Sequence, residues 1–127
     1  MNKVAIVTGS SRGIGEAIAK EFAKAEYNIV INSRDAEELA VSKHEIKQVA
    51  ASTTDILEFP GDISDESTCI GLVDIALQKF GRIDVLINNA GISGPEKWSP
   101  EITSQEWDEV VDINLKGCFM CSREVIG

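Results

Sequence analysis

The sequence is poor in several things, and each shortage removes a class of function. Basic residues are outnumbered: 12 Lys and Arg stand against 21 Asp and Glu, for a net charge of −9. No stretch gathers the cations into a stripe, so no nucleic-acid partner is expected. Long apolar runs are lacking, so no membrane span is expected. The first apolar run already begins at Val4, which leaves no room for a signal peptide in this reading. Cysteine is limited to three residues, an odd number without regular spacing, and this suits a reducing, cytoplasmic setting. Cys118 and Cys121 form a C-x-x-C, but no further zinc ligands lie nearby, and a redox pair is expected at a helix start rather than inside one. The only histidine, His44, sits among Ser42, Lys43, Glu45 and Lys47 on what reads as a solvated helix face. Tyrosine occurs once, at Tyr27.

What is present is enough for one small α/β domain over residues 1–127, with 43% hydrophobic residues to build a core. Short runs that are apolar on both faces, Val4–Val7, Ile29–Ile31, Ile56–Phe59 and Val85–Ile87, read as strands of a parallel sheet covered on both sides. Helical patterns fill the gaps. Ile14, Ala17, Ile18, Phe22 and Ala25 make one apolar stripe, and Cys69, Leu72, Val73, Ala76, Leu77 and Phe80 make a cleaner one. Between them a weaker helix, Asp35 to Ala51, turns Leu39, Ala40, Ile46 and Ala50 inward. Thr103 with Glu106 is a capping-box signature for a last helix. The order βαβαβαβα implies right-handed crossovers and a doubly wound parallel sheet, here of about four strands. The loop from Ile92 to Ile102 holds two of the three prolines and is the expected mobile segment.

The junction after the first strand carries the most information. Thr8-Gly9-Ser10-Ser11-Arg12-Gly13-Ile14-Gly15 follows Val4-Ala5-Ile6-Val7 directly and opens an amphipathic helix. Gly9 permits a tight turn out of the strand. Gly13 lets backbone approach a pyrophosphate, and Gly15 lets the helix pack close to the sheet. The helix N-terminus then faces the phosphate with its free N–H groups. Glycines in a strand-turn-helix also occur without a ligand; strand before and amphipathic helix after favour the dinucleotide reading.

The end of the second strand is where a dinucleotide site chooses its ribose. An acid there binds the 2′-hydroxyl. The stretch here is Asn32-Ser33-Arg34-Asp35, with Ser33 where the acid is expected. The Arg34 guanidinium suits a 2′-phosphate in fork geometry, and Arg12 can approach the same phosphate. NADP is therefore the expected cofactor, with NAD possible. The plainer reading leaves Arg34 a solvated charge and Asp35 a helix cap.

Together these residues resemble the short-chain dehydrogenases/reductases. Thr8 to Gly15 matches that family's TGxxxGxG motif, and Asn88-Asn89-Ala90-Gly91 matches its NNAG motif. Asp62, in Gly61-Asp62-Ile63 after the third strand, is similar to its adenine-contacting Asp. Asn114, in Ile113-Asn114-Leu115-Lys116-Gly117, is similar to its helix-borne catalytic Asn. The motifs span the whole chain in the family's order. The texture is similar to 3-oxoacyl-acyl-carrier-protein reductases and microbial glucose 1-dehydrogenases.

The resemblance implies a Rossmann-type fold and a hydride transfer between NADP and a small-molecule ketone or secondary alcohol. It implies cofactor contacts from Gly9, Ser11, Arg12, Gly13, Ile14, Gly15, Arg34, Asp62, Ile63, Asn89, Ala90 and Gly91, with Asn88 mainly structural. It implies that Asn114 holds a water that relays protons to a catalytic Lys. It also implies a homodimer or homotetramer for the full-length protein. The residues have plainer readings too. Asp62 suits a turn, and Asn114 suits an amide bonded to neighbouring backbone on a stripe with Trp107, Val110, Val111, Leu115 and Cys118. Trp98 and Trp107 can shape a substrate mouth, with core packing the better reading for Trp107.

In that family a Tyr acts as general acid/base and a Lys four residues later lowers its pKa, since a tyrosine near pKa 10 cannot otherwise do this work at neutral pH. Tyr27 is followed four positions later by Ile31, so it is not that tyrosine. The chain reads as the cofactor-binding part of such an enzyme, expected to be inactive alone. A non-catalytic nucleotide-binding module and an inert remnant are the competing readings.

Overall fold

The computed structural model describes residues 2–91 and 99–127. Four strands, Val4–Val7 (β1), Asn28–Ile31 (β2), Ile56–Glu58 (β3) and Val85–Ile87 (β4), form one parallel sheet in the order β3-β2-β1-β4. The strand order reverses at β1, which places a crevice between the carboxyl ends of β1 and β4. Helices Gly13–Lys24 (α1), Ala36–Val49 (α2) and Glu66–Phe80 (α3) join the strands. Helices Ser104–Val111 (α4) and Gly117–Ile126 (α5) run through a π-helical turn at Asp112–Lys116. A 3₁₀ turn at Ser99–Glu101 precedes them. Most of the proposed loop from Ile92 to Ile102 lies outside the described residues, as does Trp98.

Two apolar layers sandwich the sheet, as its doubly apolar strands require. Because strand side chains alternate, Ala5, Val7, Ile29 and Ile31 meet α1 and α2, whereas Ile6 and Val30 meet α3 and α5. The helix faces differ from the expected stripes in an instructive way. In α1 the core is met by Gly15, Ala19 and Ala23. Ile14 and Ala17 point outward, Ala25 beyond the helix end is exposed, and Ile18 and Phe22 are half-buried. A helix lying close on a sheet takes its small residues inward. The larger ones line a shallow apolar depression with Tyr27, whose ring meets Phe22 edge-on at 4.8 Å. In α2, Leu39, Ser42 and Ile46 are buried at i, i+3 and i+7, and Ala40 is exposed. In α3, Cys69, Leu72, Val73 and Ala76 are buried as expected, while Leu77 is exposed.

Helix ends follow local chemistry. Asp35 caps α2 by accepting from the backbone N–H of Glu37 and Glu38 at 2.9 and 3.1 Å. Thr103 and Glu106 form the expected capping box on α4. Gly81 ends α3 in the left-handed conformation, φ 75°.

The last helical segment departs most from expectation. The predicted stripe continued one α-helical period through Asn114. The π turn takes up an extra residue and under-winds that stretch, so the inward face through and after it is Ile113, Gly117, Met120 and Cys121. Asn114 and Leu115 are exposed, and Trp107 is 65% exposed rather than packed in the core. Cys121 touches Cys69 of α3, Sγ to Sγ at 3.2 Å, and not its C-x-x-C neighbour Cys118. Both contacting thiols are free, and burial pushes both pKa values up. Both lie in the apolar layer between α3 and α5. His44 is exposed on α2, where it meets Gln48 at 3.3 Å.

Candidate dinucleotide-binding cleft

A cleft of about 880 Å³ opens outside the carboxyl ends of all four strands. Gly9, Ser11 and Arg12 line it after β1, Asn32 to Glu38 after β2, Gly61, Asp62 and Ile63 after β3, and Asn89, Ala90 and Gly91 after β4. Ile113 closes one side from the π turn. Ligands of open parallel sheets sit at this end, at the point where strand order reverses.

The floor is a hydrogen-bonded clasp between β1 and β4. Thr8 is fully buried, and its Oγ1 accepts from the backbone N–H groups of both Asn89 and Ala90 at 3.1 Å. The Asn89 side chain donates back to the Gly9 carbonyl at 3.0 Å. Gly9 stands at φ 61°, and a Cβ there would lie 2.7 Å from Ala90 Cα. Turn geometry and close approach both demand glycine. A Cβ on Gly15 would strike the Gly9 carbonyl oxygen and the Asn89 amide, so only glycine lets α1 start this close to the floor. Gly13 differs: its φ is 62°, and a Cβ would meet nothing within 4 Å. The backbone there is bare beside open space, and its left-handed φ is what favours glycine. Gly13, Ile14 and Gly15 form the first turn of α1 and are not lining residues of the cleft, and Ile14 is 74% exposed.

A second polar layer holds the glycine loop from behind. The one hydroxyl proton of Ser10 has the Val7 and Asn32 carbonyls as acceptors at 3.0 and 3.2 Å, and its oxygen accepts from the Asn32 N–H at 3.0 Å. Asn32 donates its amide to Phe59 and Gly61 carbonyls at 2.9 and 3.2 Å, joining the ends of β2 and β3. Ser42, buried in α2, donates to the Ser10 carbonyl at 2.9 Å. No buried side-chain nitrogen or oxygen among the described residues lacks a partner. This matters because each unpaired group would cost about 1–3 kcal/mol. Thr8, Ser10, Asn32 and Ser42 were not among the sequence candidates. Their signal was a polar residue at an inward position of an apolar pattern.

The remaining candidates fall around this frame. Ser33, in the expected acid position, accepts from Asp35 N–H at 3.3 Å. Arg34 is exposed, lines the cleft and makes no ion pair among the described residues. Arg12 reaches Glu38 at 3.9 Å across the cleft mouth. Asp62 turns one carboxylate oxygen to Ser64, taking its backbone N–H at 2.9 Å and its hydroxyl at 2.8 Å. It is thus both a turn former and a lining residue. Ile63 is 3% exposed and packs under Gly117, where a Cβ would lie 2.5 Å from Ile63 Cδ1. Asn88 donates to Ser122 Oγ at 3.1 Å, tying β4 to α5. Asn114 stands at the rim: a Cβ on Gly91 would lie 3.0 Å from its Oδ1. Tyr27 lies away from the cleft, in the depression beside α1. Among the described residues no group of His, Cys, Asp and Glu is arranged to hold a metal. No described helix is long and apolar enough to cross a membrane.

Comparison with known proteins converges on this arrangement. Residues 3–127 match the family model described as short chain dehydrogenase. Glucose 1-dehydrogenase 2 of Bacillus subtilis is 38% identical over 98% of this chain and 47% of its own length. A 3-oxoacyl-acyl-carrier-protein reductase of Staphylococcus aureus is 36% identical over 98% of this chain and 49% of its own. The chain thus spans about half the length of these curated relatives. Among solved structures, levodione reductase superposes with a TM-score of 0.92 at 33% identity, covering 98% of this chain and 48% of that one. A metagenomic short-chain oxidoreductase in complex with NADP gives 0.89 at 31% identity, covering 98% and 55%. With the glycine loop, the strand-end cleft and the β4 amides in place, the chain belongs to the short chain dehydrogenase family.

Proposed function

We propose that this chain is the cofactor-holding part of an NADP-dependent oxidoreductase acting on a small-molecule ketone or secondary alcohol. The observation that carries the reading is the cleft itself. Gly9 at its left-handed turn, Arg12 at the start of α1 and Arg34 after β2 face one cleft at the carboxyl ends of a parallel sheet. NADP and NADPH complexes among the structural relatives support the choice of cofactor.

In this reading the glycine loop and the first turn of α1 hold the pyrophosphate with backbone N–H groups. Arg34 and Arg12 hold the 2′-phosphate. Asp62 and Ile63 border the adenine, and Asn89, Ala90 and Gly91 lay backbone along the nicotinamide ribose. Asn114, at the rim beside Gly91, holds a water on a proton path. When bound, the nicotinamide supplies or receives the hydride. A tyrosine–lysine pair for proton transfer is not among these residues, because the one tyrosine is Tyr27, outside the cleft. The 127 residues alone therefore bind without turnover.

Titration of the chain with NADPH and with NADH, followed by fluorescence, tests the reading. NADPH is expected to bind at least 10-fold more tightly, with most of that margin lost in Arg34→Ala. Equal binding, or none, would remove the cofactor assignment.

A further inference from the structure

The wall of the cleft after β2 has an unusual charge balance for a site that takes a phosphate. It carries one cation, Arg34, and three carboxylates, Asp35, Glu37 and Glu38, and faces the cleft's second cation, Arg12, on the glycine loop. The carboxylates are not equivalent. Asp35 spends an oxygen on capping α2. Glu38 instead reaches over the mouth to Arg12, Oε1 to Nη1 at 3.9 Å. Arg12 belongs to the glycine loop and Glu38 to the first turn of α2, so this pair joins the two lips of the cleft. Both side chains remain substantially exposed, 83% and 48%, so the pair is held loosely and can exchange partners.

We propose that Glu38 sets the cofactor selectivity of this cleft by competing with the 2′-phosphate for Arg12, an inference that rests on the NADP reading above. A 2′-phosphorylated dinucleotide must part Arg12 from Glu38 and then tolerate the freed carboxylate near its own charge. A dinucleotide with a plain 2′-hydroxyl leaves the pair closed. The carboxylate thereby narrows a preference that the two arginines would otherwise make wide. Its position in the first turn of α2 is independently favourable, because an acid there complements the helix dipole. The helix thus keeps a residue that opposes the phosphate.

The test is a set of NADPH and NADH titrations on the wild type, Glu38→Gln, Glu37→Gln, Arg12→Ala and the double variant Arg12→Ala/Glu38→Gln. Glu38→Gln should raise the ratio of NADPH to NADH affinity by about 3- to 10-fold, a gain that fades between low and high salt. Glu37→Gln should raise it by less than half as much. In the Arg12→Ala background, Glu38→Gln should change the ratio by less than about 2-fold, because the competition is then gone. Equal gains from Glu37→Gln and Glu38→Gln would overturn the proposal in favour of a general field of negative charge. So would an unchanged ratio in Glu38→Gln while the wild type still prefers NADPH. A wild type that does not prefer NADPH would instead overturn the cofactor reading beneath it. Glutamine keeps the side-chain length and helix propensity at an exposed position, and a thermal melt of each variant verifies the fold.

Discussion

Strands β1 and β4 lie side by side and are written in the same apolar alphabet, yet they live in different surroundings. Every residue of Val4–Val7 is fully buried, whereas Val85, Leu86 and Ile87 are all half-buried. The contrast extends to the helices. Gly15, Ala19 and Ala23 of α1 are buried against the sheet, but α4 buries no residue, and Leu115 and Phe119 are exposed. Burial follows neighbours, not composition. β1 has a strand on each side and helices on both faces, while β4 pairs only with β1 among the described residues. The cleft thus straddles the two environments, with the glycine loop after the enclosed β1 clasped to Asn89 and Ala90 after the edge strand β4. The rim with Asn114 belongs to the lightly supported side.

The sharpest way to break this contrast is at the seam. Gly9→Ala forces a side chain against Ala90 at a left-handed position, and should cost roughly 2–4 kcal/mol of stability and abolish NADPH binding. Urea unfolding and titration read both. A paired truncation then compares the strands directly. Ile6→Ala, in the fully buried strand, should cost about 3–4 kcal/mol, and Leu86→Ala, in the half-buried one, about 1–2 kcal/mol. Equal costs in denaturant melts would show that the two strands are equally enclosed. Thr8→Ala removes the acceptor that serves Asn89 and Ala90, and should cost about 1–2 kcal/mol, with Thr8→Ser recovering most of it.

At the opposite end of the same two strands, Asp84 offers a pH handle. Arg82 grips its carboxylate at 2.6 and 2.8 Å, and the Val4 N–H adds a third bond at 2.8 Å. These hold its pKa below the ordinary 3.8. Its contribution is therefore present above about pH 3.8 and is lost as pH falls through the lower folded value. The stability gap between wild type and Asp84→Asn should close over that acid range and stay constant from pH 5 to 7. The smallest effect is expected at Trp107, where Trp107→Ala should shift stability by less than about 0.5 kcal/mol, since the ring is largely in solvent.

Much of this was legible in the residues. The four strands appear within one residue of their expected bounds, because parallel buried strands are unbroken apolar runs flanked by glycine and helix caps. The capping box at Thr103 and the cap at Asp35 were equally local. The helix faces were harder to read. In α1 the fully buried positions are the small Gly15, Ala19 and Ala23, while Ile18 and Phe22 are only half-buried beside the core and Ile14 is exposed. The π turn was invisible to a 3.6-residue period, and it moved Asn114 from an expected buried stripe to the rim. The clasp through Thr8, and the layer of Ser10, Asn32 and Ser42 behind it, depends on which strands become neighbours. A pattern read along one dimension does not contain that information.

Amide hydrogen exchange of the chain with and without saturating NADPH tests the central claim most directly. The account predicts added protection in three separated segments, residues 8–15, 32–38 and 88–91, which the sheet brings to one cleft, and little change in α4. Protection confined to a single segment, or centred on the depression beside Ile18 and Tyr27, would contradict it.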